Sequence, residues 1–396
     1  MRLAVLFARF GPYHHARLRA AGKVCDLTAI EFSAVDKTYA WEMVNGAEGF
    51  ERETLFSDAD YEGKSPNEVR RALWRALDKC NPAIVAIPGW ATVPALLALA
   101  WCRHHNVPAI LMSDSQEGDE PRTWWKEWVK SRVVKQFGAG LVGGTPHINY
   151  LSKLGVLHDR LYVGYDVVDN GYFSNGADLV RRNGPKFREK FSLPNHYFLS
   201  SSRFVEKKNL PRLIDAYALL KARNGTNARH LVVIGDGSLR PDLEVQIHKL
   251  GLTEQIHLPG FKQYDELPLY YGLADVYIQA STTEQWGLVV NEAMASGLPV
   301  LVSNRCGCGP DLVQEGVNGY TFDPYDVEAL AELLAKISAD RTALETMGQA
   351  SRTIIANWAP ETFAENLLKA AQTAKSQPLP DASWFDRVIL KGLVHR

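Results

Sequence analysis

Short apolar runs alternate with helix-period segments along most of this chain. In the first half, Leu3–Ala8, Asp26–Phe32, Ala83–Ile87, Ala109–Met112, Gly140–Gly143 and Leu161–Gly164 read as strands. In the second half, Tyr197–Ser200, His230–Ile234, Gln255–Leu258, Asp275–Ala280, Val300–Ser303 and Tyr320–Phe322 read the same way. Most of these runs are rich in Val, Ile and Leu without a polar residue at every second position, so both of their faces are buried. Strands of this kind spaced by helical patterns predict an α/β chain, with parallel sheets and crossover helices.

The polar stretch from Asp169 to Pro194 separates the two series. It predicts a first domain over 1–168, a linker over 169–195 and a second domain over 196–360. A helix over Pro360–Ala374, a proline-rich hinge over 377–381 and an aromatic-basic end follow; this 361–396 segment is expected to return to the first domain. At 396 residues the chain is long enough for two cores.

In open α/β sheets, ligands bind beyond the carboxyl ends of the strands. Arg203 and Lys208 follow Tyr197–Ser200, and the turn Gly235-Asp236-Gly237 follows His230–Ile234. Glu284 to Gly287 follow Asp275–Ala280, and Arg305-Cys-Gly-Cys-Gly309 follow Val300–Ser303. Two fixed cations, glycine turns and helix N-termini on one edge suit a diphosphate. Glu284 and Glu292, eight apart across a loop-to-helix junction, add acceptors for hydroxyl groups. Together they describe a nucleotide diphosphate joined to a group rich in hydroxyls. The glycine spacing lacks the third glycine of a dinucleotide fingerprint.

Charge and cysteine content narrow the field. A net charge of −1 argues against nucleic acid as a partner. Five scattered cysteines fit a reducing compartment, and Cys306-Gly-Cys308 without further ligands is not a zinc site. Leu3–Ala8 is too short for the apolar core of an export signal, and Pro88-Gly89 and Pro94 divide the uncharged run Ala83–Cys102 into strand and helix rather than a membrane span. The expected location is cytoplasmic, with the inner face of the membrane as a second placement.

With these residues in hand, the chain resembles the retaining GT-B glycosyltransferases of glycosyltransferase family 4, most strongly from Tyr197 to about Thr362. The resemblance rests on Ser202-Arg-Phe-Val-Glu-Lys-Lys208, Gly235-Asp-Gly237, Glu284-x7-Glu292 continuing into Ala293-Met-Ala-Ser-Gly-Leu-Pro299, and Asn318-Gly319. Val168-Asp169 followed by Phe173 is similar to the end of the family's first domain. It implies two Rossmann-like domains facing across a cleft, no required metal or cofactor, and transfer of a hexose-type sugar from a nucleotide donor, with UDP ranked ahead of GDP and ADP. Arg203 and Lys208 would bind the diphosphate, Glu284 the donor sugar and Glu292 the ribose. The amides of Trp286, Gly287 and Leu288 would approach sugar and phosphate. Gly235 and Asp236 complete the donor set.

The first domain matches less closely. Gly11 stands where the family is richer in glycine, and Asp114 where it often places a histidine, which makes Asp114 a catalytic candidate. His14 is the acceptor-side candidate. Asp58-Ala-Asp60 resembles a metal-binding pair of another fold but sits far from the donor motifs. The expected acceptor is a glycan, a lipid-linked sugar or a small molecule.

Residues 122–137 form a helical pattern with Trp125, Val129, Val133 and Phe137 as a stripe, flanked by Trp124, Trp128 and four cations. Such a helix suits either packing on the first sheet or peripheral membrane contact. Competing readings of the whole chain are a sugar-nucleotide epimerase or phosphorylase, a non-catalytic nucleotide-sugar binding protein, and an NAD oxidoreductase.

Overall fold

The computed structural model describes residues 1–34, 46–57, 60–225, 229–380 and 383–394. The chain divides into two compact units, residues 1–168 with 359–396, and residues 169–358.

The first unit is built on seven parallel strands: β1 (Arg2–Phe7), β2 (Asp26–Ser33), β3 (Glu51–Phe56), β4 (Ile84–Pro88), β5 (Ala109–Ser113), β6 (Ala139–Val142) and β7 (Leu161–Val163), in the order β3-β2-β1-β4-β5-β6-β7. The second holds six, β8 (Tyr197–Ser201), β9 (His230–Ile234), β10 (Ile256–His257), β11 (Val276–Gln279), β12 (Val300–Ser303) and β13 (Gly319–Phe322), in the order β10-β9-β8-β11-β12-β13. In each sheet the winding reverses once, between β1 and β4 and between β8 and β11.

All the expected strands form, and β3 is an addition. Its sequence Glu-Arg-Glu-Thr-Leu-Phe lies half-exposed at a sheet edge, where burial imposes no apolar pattern. Polar contacts hold it instead: the buried Glu31 carboxylate on β2 accepts from Arg52 at 2.7 Å and from the Thr54 hydroxyl at 2.7 Å.

The stretch expected as a linker is helical. Helices Asn170–Arg182 and Gly184–Phe191 occupy it, and the first packs on Leu267–Leu273 and Leu288–Ala295 of the second unit. Phe173, Ala177 and Val180, spaced four and three apart, are its buried stripe; the polar residues that suggested a linker are its outer face. The helix Pro360–Ser376 packs on Pro12–Gly22 and on β5, β6 and β7, so close to Gly138 that an added Cβ there would lie 3.0 Å from that of Ala374. Helix Trp384–Val394 packs on Val93–His105 and Trp124–Val134. Among the described residues, no helix is long and apolar enough to cross a membrane.

Candidate functional site

The second sheet reverses its winding between β8 and β11, and a polar cluster lies beyond their carboxyl ends. Lys208, in a short 3-10 turn (Glu206–Lys208) after β8, donates to Oε2 of Glu284, in the loop after β11. Both side chains are mostly shielded, at 12% and 15% exposure. The same oxygen accepts from Gln279 Nε2 at 3.1 Å and Ser281 Oγ at 3.2 Å. Ion pairing and these neutral donors fix the carboxylate's orientation.

Sequence reasoning missed the residues that hold this pair. Asn209 sits in the left-handed region at φ 57, and its buried amide donates to Ala280 O at 3.1 Å and Pro324 O at 2.7 Å. It thus ties the loop after β8 to those after β11 and β13. A second tie runs from Thr282 N to Lys207 O at 2.9 Å. Gln279 is oriented by the Tyr277 hydroxyl, which donates to its Oε1 at 2.8 Å. A polar Gln in the apolar strand Val-Tyr-Ile-Gln was the available signal, because buried amides demand partners.

Arg203 is exposed beside the glycine turn. That turn is shaped by contact: a Cβ on Gly235, whose φ is +129, would lie 1.8 Å from Ser202 O. Phe204 N donates to Asp236 O at 2.8 Å, so the turn carries the segment that presents Arg203. The exposed Asp236 carboxylate accepts from Arg240 at 3.0 Å and from Gly237 N at 2.8 Å, which holds it below the usual carboxylate range.

Gly287, at φ 110, opens the helix Leu288–Ala295. The amides of Gly287 and Leu288 stand at this helix start, the kind of position that suits phosphate or sugar oxygens, and Val290 N closes the turn by donating to Gly287 O at 2.8 Å. Trp286 itself turns inward. Its indole N–H donates to the buried Asn291 Oδ1 at 2.9 Å, and its ring packs on Trp358 with centroids 4.9 Å apart. Glu292 is fully enclosed and accepts from the buried Tyr271 hydroxyl at 2.6 Å. It is therefore neither a solvated helix face nor openly presented to a ligand. Asn318 is buried and bonds Leu312 O and Gln314 N, while Gly319 lies against Val300 O, so the Asn-Gly pair is a structural corner.

Burial raises the thiols of Cys306 and Cys308 above their ordinary range, so both are neutral. Among the described residues no His, Cys, Asp and Glu cluster could hold a metal.

In the first unit, the reversal between β1 and β4 brings Gly11 and His14 to the sheet's carboxyl edge. His14 Nδ1 accepts from Gly11 N at 3.2 Å, and its ring lies 4.4 Å from that of Phe7. Burial, then the Arg17 charge, lowers its pKa to about 3. The neutral ring thus carries its proton on Nε2 and can donate there, but it cannot act as a general base through that nitrogen. Asp114 is part-exposed after β5, and its charge, after burial, raises the pKa of buried Asp166 to about 7. Arg17 opposes that shift from 3.7 Å. Asp60 caps a 3-10 turn by accepting from Glu62 N; Asp58 lies outside the described residues.

In the helix Trp124–Val134 the expected stripe faces inward from half-buried Val129 onward and departs only at its first member. Val133, Val134 and Phe137 are buried, but Trp125 is 44% exposed, beside Trp124 at 83% and Trp128 at 44%. The inward face starts late because Glu127 is engaged near the helix start, accepting from Lys130 at 3.1 Å and from the Tyr150 hydroxyl at 2.8 Å.

The two sheets have the architecture of the GT-B glycosyltransferases. The chain is similar in structure to HepE of Anabaena, solved with UDP, at a TM-score of 0.71 and 17% identity, covering 94% of this chain and 100% of that one. It is also similar to sucrose-phosphate synthase of Thermosynechococcus elongatus, at 0.71 and 16%, covering 93% and 97%. Residues 185–354 match the family model described as "Glycosyl transferases group 1". In sequence, a GDP-mannose-dependent alpha-(1-6)-phosphatidylinositol monomannoside mannosyltransferase of Mycobacterium tuberculosis is 31% identical over 174 residues, 42% of this chain and 44% of that protein. A sulfoquinovosyl transferase of Arabidopsis thaliana is 37% identical over 160 residues, 40% of this chain and 29% of that protein. The chain spans less than half the length of these curated relatives. Together the matches support a GT-B glycosyltransferase.

Proposed function

We propose that this protein is a retaining glycosyltransferase of family 4, moving a hexose-type sugar from a nucleotide diphosphate donor to a glycan, lipid-linked or small-molecule acceptor. The observation that carries the reading is the Lys208–Glu284 pair at the β8/β11 reversal, with Arg203 in the same segment after β8 as Lys208.

In such a transfer the bond from the anomeric carbon to the diphosphate breaks, and negative charge gathers on the leaving phosphate. Lys208 and Arg203 supply the opposing charge, and a pre-oriented cation does so without reorganising during the reaction. Glu284 fixes the Lys208 ammonium and offers the sugar hydroxyls an acceptor. The amides at Trp286, Gly287 and Leu288 add neutral donors, and Gly235 and Asp236 shape the wall beside Arg203. Ribose recognition is the proposed role of Glu292, one of whose oxygens is held by the Tyr271 hydroxyl. Asp114 and His14 are proposed acceptor-side groups, the latter as an Nε2–H donor.

UDP is the proposed carrier ahead of GDP and ADP. HepE was solved with UDP and the mycobacterial relative is GDP-mannose-dependent, so both carriers belong in the assay. No metal is proposed, since the two cations supply the counter-charge. Peripheral membrane contact through 122–137 at a cytoplasmic face is proposed from its exposed tryptophans. Sugar transfer assayed with UDP-, GDP- and ADP-sugars tests the reading: turnover of one, abolished in Lys208→Ala, is expected, and hydrolysis or epimerisation alone would favour the competing enzyme class.

A further inference from the structure

Strand β10 is two residues long, Ile256–His257, and lies at the edge of the second sheet beside β9. Ile256 stands opposite Leu231 and His257 opposite Val232. So short a ladder does little to fix its own register. A cross-strand pair adds what the ladder lacks. Nδ1 of His230, the first residue of β9, lies 2.9 Å from Nε2 of His257, with the rings 16° from parallel. His230 and Val232 point to one face of the sheet, so His257 is the diagonal neighbour of His230. At this distance one of the facing nitrogens carries a proton and the other accepts it. Burial lowers the pKa of both half-buried rings. The Lys221 charge adds to it at His230, and at His257 the His230 charge adds to it while Glu254 opposes. Both rings are therefore neutral near pH 7, and the bridge holds a single proton.

The strand that this pair pins leads straight to the glycine turn. Three residues past His257, Gly260 O accepts from Gly235 N at 3.0 Å. Arg240 makes a second stitch, from Nη1 to Leu258 O at 3.4 Å and from Nη2 to Gly235 O at 3.3 Å. Gly235 opens the turn whose Asp236 O accepts from Phe204 N, next to Arg203. A slip of β10 by one residue would carry Gly260 O about 3.3 Å along the strand, out of bonding distance of Gly235 N. The same slip would turn His257 to the other face and break the imidazole bridge. The bridge thus opposes the one movement that would release the turn.

We infer that His230 and His257 are positioning residues for the donor side: their bridge pins β10 on β9 and so holds the Gly235-Asp236-Gly237 turn that presents Arg203. The inference rests on the nucleotide-donor reading above.

The test compares the wild type with His257→Ala, His230→Ala, His257→Gln and His196→Ala in two readouts, hydrogen exchange at Gly235 N–H and calorimetric titration with UDP, GDP and ADP. Each bridge-breaking alanine variant is expected to speed Gly235 exchange about fivefold or more, and to weaken the nucleotide that the wild type binds by a similar factor. His257→Gln, which keeps a donor and an acceptor, is expected to recover most of both. His196 pairs instead with Asp275, at 3.2 Å, and its alanine variant is expected to change neither readout. Unchanged exchange in both bridge-breaking variants overturns the pinning. Faster exchange with wild-type nucleotide affinity overturns the positioning role and leaves the donor reading in place. Equal losses in His196→Ala, or none recovered in His257→Gln, overturn the bridge as the cause. A wild type that binds none of the three nucleotides overturns the donor reading, and the role of the pair falls with it.

Discussion

The ammonium of Lys208 and the carboxylate of Glu284 meet across 76 residues of chain, at the point where the second sheet reverses its winding. The donor carries one fixed cation into the site and the acceptor orients it. Removing either partner should show in catalysis before it shows in stability, because both lie in loops beyond the strand ends and outside the apolar core cluster. Lys208→Ala should lower the turnover of sugar transfer by about 10²–10³ while the unfolding midpoint moves little. Steady-state kinetics beside thermal unfolding checks this; full turnover in a folded variant would remove Lys208 from the mechanism.

Asn209 makes a different prediction. Its amide is buried and bonded to two backbone carbonyls, and its φ of 57 suits Asn or Gly. Asn209→Ala should cost about 2–4 kcal/mol, from unpaired carbonyls and the left-handed backbone together. Asn209→Gly keeps the backbone and should cost less. Denaturant unfolding of both separates the two causes.

Gly235 tests the wall of the site. A methyl there would press on Ser202 O at 1.8 Å, so Gly235→Ala must shift the segment bearing Arg203. The variant should lose at least about 2 kcal/mol of stability and weaken nucleotide binding at the same time. Wild-type binding in this variant would show that Arg203 does not depend on the turn.

His14 predicts an acid limb. Its folded pKa of about 3 lies below the ordinary 6.5, so between those values the unfolded chain binds the extra proton. Its contribution to stability is whole above pH 6.5 and is lost as pH falls toward 3, at about 1.4 kcal/mol per pH unit. His14→Gln, which keeps an acceptor for Gly11 N, should flatten that limb in unfolding measured from pH 4 to 7. An unchanged slope would contradict the half-buried neutral imidazole.

Much of this was legible in the sequence, for physical reasons that also mark its edge. Strands buried on both faces announce themselves as apolar runs, which is why β1, β4, β5, β8, β9 and β12 were plain. Strand β3 was not, because four of its six residues are polar: Arg52 and Thr54 bond Glu31, and only Leu55 and Phe56 pack on the core. The polar segment 169–195 hid two amphipathic helices whose apolar stripe is only Phe173, Ala177 and Val180 wide in the first of them. In the site, the residues of stated charge were readable from strand-end placement. Their supports Asn209, Gln279 and Ser281 were not, since a buried hydrogen bond depends on partners from distant loops. The stripe of Trp124–Val134 departs at Trp125 alone, beside Glu127, whose carboxylate is held by Lys130 and Tyr150.

The most direct measurement is calorimetric titration of the wild type and Lys208→Ala with UDP, GDP and ADP, without added metal. The account predicts that one nucleoside diphosphate, UDP first, binds the wild type and binds Lys208→Ala at least about tenfold more weakly. A folded wild type that binds none of the three, or a Lys208→Ala variant that binds equally well, would contradict a diphosphate site at the β8/β11 reversal.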